Sequence, residues 1–78
     1  MVLRNDPVGA FVDYPDAEPA HARTGPLEGL SFGVKDVLDV VGYPTGAGNP
    51  LWRSEAKPAA ANARAVQQLL DAGATFAG

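Results

Sequence analysis

The stretch over residues 30–52, LSFGVKDVLDVVGYPTGAGNPLW, passes from an alternating pattern into a glycine-punctuated loop and sets one lysine at the join. Leu30, Phe32 and Val34 fall on one side of an extended backbone, and Ser31, Gly33 and Lys35 on the other. That is the period of a strand with one buried face, and Lys35 leaves it on the small-residue side. Residues 37–41 are rich in β-branched side chains and predict a second short extended piece. A turn-rich loop through Gly42, Pro44, Gly46, Gly48 and Pro50 should follow, with too much glycine to be expected in a core. Trp52 is expected to pin that loop by packing, given the apolar area a tryptophan buries.

Working outward, Ala59, Ala63, Val66 and Leu70 recur at helical spacing, Leu69 widens the stripe, and Gln67, Gln68 and Asp71 form the polar side. Pro58 suits the first position of this helix and Gly73 the left-handed residue after its last turn. Asn62 competes as an N-cap and would shorten the helix by about a turn. The closing ATFAG reads as the start of another strand. On the other side, the first 26 residues carry Pro7, Pro15, Pro19 and Pro26 among Asp6, Asp13, Asp16 and Glu18. Proline restricts φ and removes a ladder donor, so residues 1–25 are expected to form an arm wrapped over the rest, with a short extended piece at 10–14. A helix and a strand after a strand-rich segment suggest an α/β layer. One helix and two or three short strands do not close such a layer, and Leu69, Leu70 and Phe76 are expected to face a sheet lying outside these residues.

Composition narrows the classes of function. A chain of 78 residues, 46% hydrophobic and 19% charged, with 9 glycines and 7 prolines, is globular but loop-rich. At that length a self-sufficient core is marginal. Without cysteine there is no disulfide, thiolate nucleophile or cysteine-based metal site, and a cytoplasmic setting is favoured. A net charge of −3 with the six basic residues scattered gives no footprint for a phosphate backbone, so nucleic acid is not an expected partner. The amino terminus lacks the apolar core of a signal peptide, and no run reaches the roughly 20 apolar residues of a membrane span.

Few residues could carry chemistry. Burial makes a lysine a base or nucleophile because desolvation disfavours the ammonium form, and Lys35 is the one lysine in an apolar context. The other reading of Lys35 is a strand lysine whose stem lies on apolar neighbours with its amine in water. Asp36 is not a ready counter-ion, since adjacent strand residues point to opposite faces. GYPTGAG lacks the spacing of a phosphate-binding loop, which leaves turn chemistry or a loop whose glycines let backbone approach a ligand. His21 stands alone in a polar arm, without the partners a metal site needs. Ser31 and Ser54 have no base at a motif spacing.

Taken together, GPLEGLSFGVKDVLDVVGYPTGAGNPLW and ANARAVQQLLDAGATFAG resemble the amino-terminal part of the amidase signature family of serine hydrolases. The TG.GNP.W form of the loop resembles the branch containing indole-3-acetamide hydrolases and the amidase-like domain of a chloroplast import receptor, with Gly46 and Asn49 as the distinguishing residues. The resemblance covers residues 25–78 or so. It implies an α/β fold, namely the amino-terminal piece of a mixed β-sheet covered by helices and not a complete domain. Residues 1–25 would be an arm and 26–78 the truncated start of the amidase domain.

The resemblance also implies a role for Lys35 as the base of a Ser-cisSer-Lys triad. Lys35 would take a proton, through a bridging serine, from the serine that attacks an amide carbonyl. The triad serines have no counterpart in these 78 residues. The implied function is therefore part of an amidohydrolase that converts a small carboxamide to acid and ammonia, without a cofactor or metal, in the cytoplasm. By itself the chain would be inactive. Its partners would be the amide substrate of the full-length enzyme and either the missing carboxyl-terminal part or a second copy, with no nucleic acid and no membrane. The alternative is a non-catalytic amidase-like binding module. Strand edges without partners should make the isolated chain prone to aggregate; a sharp cooperative melt of a monomer at high concentration would contradict this.

Overall fold

A computed structural model describes residues 6–13 and 17–78. Its elements, in chain order, are strand β1 (Ser31–Phe32), helix α1 (Pro50–Glu55), helix α2 (Arg64–Asp71) and strand β2 (Thr75–Phe76). β1 and β2 pair in parallel, Ser31 beside Thr75 and Phe32 beside Phe76. The ladder bonds run from Thr75 N–H to the Leu30 carbonyl (2.9 Å), from Ala77 N–H to Phe32 (2.8 Å) and from Val34 N–H to Gly78 (2.8 Å). The chain is thus a small mixed helix and strand unit in which a long connection carrying both helices joins two parallel strands.

The alternation expected from residue 30 onward holds at Phe32 and Val34, which pack against the core. It fails at Leu30, which is exposed, because the strand begins only at Ser31. The core itself is Val40, Tyr43, Val66, Leu70 and Phe76, with Ala17 and Ala63 packed against it. Phe76 meets Phe32 edge-on with ring centroids 6.2 Å apart, and Tyr43 at 5.4 Å. Leu70 is 0% exposed and Val66 1%, so burying each contributes roughly 1.5–3 kcal/mol. Leu70 and Phe76 therefore do not wait for an outside sheet, contrary to the sequence expectation: the arm, the loop and the strands of this chain already cover them. Tyr43 corrects a second expectation, since the glycine-rich loop does enter the core.

α2 starts later than its apolar stripe suggests. Its N-cap is Ala63, whose methyl side chain cannot cap, and the Asn62 side chain is taken by other partners. Asn62 Oδ1 accepts from Val41 N–H (2.8 Å) and its amide donates to Gln67 Oε1 (2.8 Å). Ala59 sits outside the helix in an isolated parallel bridge with Val41, and Pro58 is accordingly not a first helical residue. Residues 37–41 do not form the expected extended piece. The Lys35 carbonyl accepts from Val37 and Leu38 N–H in a turn, and only Val41 reaches a bridge.

The carboxyl end of α2 is closed with few loose groups. Gly73 N–H bonds the Leu70 carbonyl and Ala74 N–H bonds Leu69, both at 3.1 Å, with Gly73 at φ 98°. This is the pair of bonds that satisfies orphan carbonyls after a helix. Two preceding residues complete it, as Ala22 N–H donates to the Leu70 carbonyl and Leu27 N–H to that of Ala72, both at 2.9 Å. Backbone bonds therefore hold residues 22–27 across the carboxyl end of α2, while residues 1–5 and 14–16 of the expected arm lie outside the described residues. At its amino end Asp6 accepts from Ala10 and Phe11 N–H, both at 2.8 Å, and the Phe11 ring lies against Gly33 and Gly78. Residues 10–13 form no strand; Tyr14, the last residue of the extended piece expected there, lies outside the described residues.

Gly25 sits where the arm crosses α2. At φ 145° a Cβ there would stand 2.3 Å from the Ala72 carbonyl oxygen. Gly25→Ala should cost at least about 1–3 kcal/mol in urea unfolding, the scale of backbone strain in a glycine-only region. Gly29, at φ 85° with nothing within 4 Å of an added Cβ, provides the control, and Gly29→Ala should cost clearly less.

Candidate active site

Lys35 follows directly on Val34, whose N–H makes the last ladder bond to Gly78. It therefore stands at the carboxyl end of β1, the end at which open α/β sheets place their ligand-binding residues. The strand that carries it forms because Phe32 is held by Phe76 on the core side and Gly33 admits Phe11 on the other. Lys35 itself is exposed. Among the described residues nothing supplies the burial that the sequence context suggested.

Past Lys35 the chain turns at once, and two carboxylates in the turn take hold of the glycine loop. Asp36 Oδ1 accepts from Gly46 N–H (3.0 Å), and the Asp36 carbonyl accepts from Ala47 N–H (2.7 Å). Asp39 Oδ1 accepts from the Thr45 hydroxyl (2.6 Å). Ala47 adopts φ 52°, a left-handed conformation uncommon for a residue with a Cβ. Gly46 is buried in this arrangement. Asp36 had looked uninformative in sequence, because strand alternation put it on the face away from Lys35. The chain leaves the strand at that point, and alternation no longer applies.

The loop is anchored from below by Tyr43. Its hydroxyl donates to the Ala17 carbonyl and accepts from Ala17 N–H (3.1 Å). Burial, the larger effect, pushes the pKa of this phenol up, and the bond to Ala17 works against it. Beyond the loop lies α1, which the sequence reading missed. The signal was present in Asn49-Pro50: Asn49 Oδ1 caps Leu51 and Trp52 N–H (3.0 and 3.2 Å), and Pro50 fills the first helical position. α1 buries none of its residues, and Trp52 is 62% exposed. Trp52 is therefore no anchor; Asn49 and Tyr43 hold the loop in its place.

An open cleft of about 170 Å³ runs between the turn and α1, lined by Val12, Asp36, Gly46, Gly48, Asn49, Pro50 and Arg53. Arg53 reaches across it to the Asp13 carbonyl, tying α1 to the arm. Lys35 is beside this cleft in sequence but is not among its lining residues. His21 is exposed on the arm with its ring bonded to the Ala22 carbonyl (2.7 Å). Ser31 is exposed on β1, and the Ser54 hydroxyl donates to the Leu51 carbonyl (2.7 Å). Among the described residues no group of three potential ligands could hold a metal ion, and no helix is long and apolar enough to cross a membrane.

Comparison with known proteins gives this geometry a family. The amidase family model matches residues 12–78. Amidase 1 of Arabidopsis thaliana is 41% identical over 80 residues, covering 100% of this chain and 19% of that protein. Amidase 1 of Oryza sativa subsp. japonica is 43% identical over 70 residues, covering 90% of the chain and 16% of that protein. Outer envelope protein 64, chloroplastic, of Arabidopsis thaliana is 40% identical over 75 residues, covering 90% and 13%. No solved structure matches the chain at comparable significance. The chain belongs to the amidase family, and it spans less than a fifth of the length of these relatives.

The Tyr43 anchor can be tested. Tyr43→Phe removes both bonds to Ala17 and should cost about 1 kcal/mol in denaturant unfolding at neutral pH. Because folding raises the phenol above its ordinary value near 10, its share of stability is complete below pH 10 or so and is lost as pH rises through the folded-state value. The alkaline loss of stability should therefore be smaller in Tyr43→Phe than in the parent chain.

Proposed function

We propose that this segment contributes the base-bearing strand of an amidohydrolase that splits the C–N bond of a small carboxamide into acid and ammonia. The observation that carries it is the position of Lys35 at the carboxyl end of β1, one residue past the last ladder bond, in a chain that belongs to the amidase family. In the Ser-cisSer-Lys scheme that the resemblance implies, a neutral Lys35 amine accepts a proton relayed by a bridging serine from the nucleophilic serine. That serine adds to the amide carbonyl, ammonia leaves carrying a proton returned along the same relay, and water then hydrolyses the acyl-enzyme.

Ser31 and Ser54 are the serines of these 78 residues, and neither is next to Lys35 in sequence. The relay, the nucleophile and the oxyanion donors, which supply most of the rate, would come from parts of an amidase domain outside these residues. The same parts would bury Lys35, which general-base chemistry requires. In this reading residues 1–25 are an arm, residues 26–78 are the opening of the domain, and the enzyme works without a cofactor in the cytoplasm.

A second reading is a non-catalytic amidase-like module. It is favoured by the relative named Outer envelope protein 64 and by the exposed Leu51 and Trp52 of α1, an apolar surface free to meet a partner. Ammonia release separates the two. The purified chain should release none from simple amides above a Lys35→Ala control. Within a polypeptide of full family length, Lys35→Ala should lower kcat by roughly 10²–10⁴. Turnover by the isolated chain above its control would overturn the first reading, as would a full-length Lys35→Ala variant with undiminished activity.

A further inference from the structure

The turn after β1 and the loop over residues 45–48 are joined more firmly than a surface loop requires. Asp36 alone contributes two bonds of different origin. Its carboxylate receives Gly46 N–H at 3.0 Å and its carbonyl receives Ala47 N–H at 2.7 Å. The neighbouring contact of Thr45 with Asp39 (2.6 Å) and the Asn49 N–H bond to the Gly46 carbonyl (2.9 Å) close the loop on itself and on the turn. Ala47 is held at φ 52° within this frame. A residue with a Cβ persists in that conformation where its surroundings over-determine it, and such residues cluster at functional sites.

We propose that Asp36 is a positioning residue of the Lys35 site. Resting on the general-base reading of Lys35, the proposal adds what holds that lysine in place. Two consecutive residues divide the work. Lys35 presents the amine, and Asp36 locks the backbone immediately after it to the 45–48 loop, so that the turn cannot swing the lysine away from the carboxyl end of β1. The carboxylate acts as a hydrogen-bond acceptor for Gly46 and not as the counter-ion of Lys35. An acceptor without charge should therefore serve nearly as well.

This separates two variants. Asp36→Asn keeps an oxygen that accepts from Gly46 N–H, whereas Asp36→Ala removes the acceptor. The test uses these residues in a polypeptide of full family length assayed on a simple carboxamide, with peptide-level hydrogen exchange over residues 44–49 as an independent readout. Asp36→Ala should speed exchange in that segment, leave the segment containing α2 unchanged, and lower kcat roughly 10- to 100-fold with KM little altered, the scale of an Å-sized misplacement. Asp36→Asn should restore both exchange and kcat to within a few-fold of the parent.

Equal loss in Asp36→Asn and Asp36→Ala would overturn the acceptor role in favour of a charge role. Parent-like kcat in Asp36→Ala, with Lys35→Ala inactive, would overturn the positioning role while leaving the base intact. Activity retained in Lys35→Ala would overturn the base reading and this proposal with it. If Asp36→Ala loosens α2 as well, Asp36→Asn decides: parent-like exchange and kcat uphold the acceptor role, and loss of kcat with parent-like exchange overturns it.

Discussion

Leu30 and Phe32 accept, and Val34 donates, backbone hydrogen bonds across to Thr75, Ala77 and Gly78, positions 45 residues apart in the chain for Leu30 and Thr75. Closing a connection of that length costs entropy that three bonds in water do not return. The pairing persists because it aligns Phe32 with Phe76 over Tyr43, Val66 and Leu70. The other described elements are arranged around that seam. The arm crosses the end of α2 to satisfy its carbonyls, Phe11 lies against the glycine side of the ladder, and the turn at residues 36–38 begins where the ladder stops.

The seam also explains why chemistry is expected at one end of the molecule. A parallel pair puts both carboxyl ends of its strands on the same side, and the residue leaving β1 there is Lys35. The segment that follows is held by backbone and carboxylate contacts, and by Val40 and Tyr43 in the core. Leu30, Val37, Leu38, Leu51 and Trp52 are exposed, in a chain that spans less than a fifth of the length of its amidase relatives.

Much of this was legible from residue types. Phe32 and Val34 announced the buried face of β1, Val66 and Leu70 the inner side of α2, Gly73 its end, and ATFAG the second strand. The misreadings have different causes. Asn62 has the chemistry of an N-cap but is claimed by Val41 from across the fold, so the helix begins without it. Asn49-Pro50 has the chemistry of a helix start and meets no competitor, yet the glycines around it made a loop the simpler reading. Trp52 looked like an anchor because of its size; on a helix that buries nothing, size has no consequence.

The sequence by itself determined the elements whose signals are periodic or local, one inner face of a strand and one amphipathic helix with its terminating glycine, together with membership of the amidase family over residues 12–78. Periodicity and capping act within a few residues, so they can be read along the chain. The tertiary structure alone decided that Tyr43 enters the core, that Leu70 and Phe76 are covered from within, and that Asp36 binds the loop beside Lys35. Those outcomes depend on which distant donor or apolar side chain meets a shared partner in the folded chain, and no one-dimensional pattern records such a meeting.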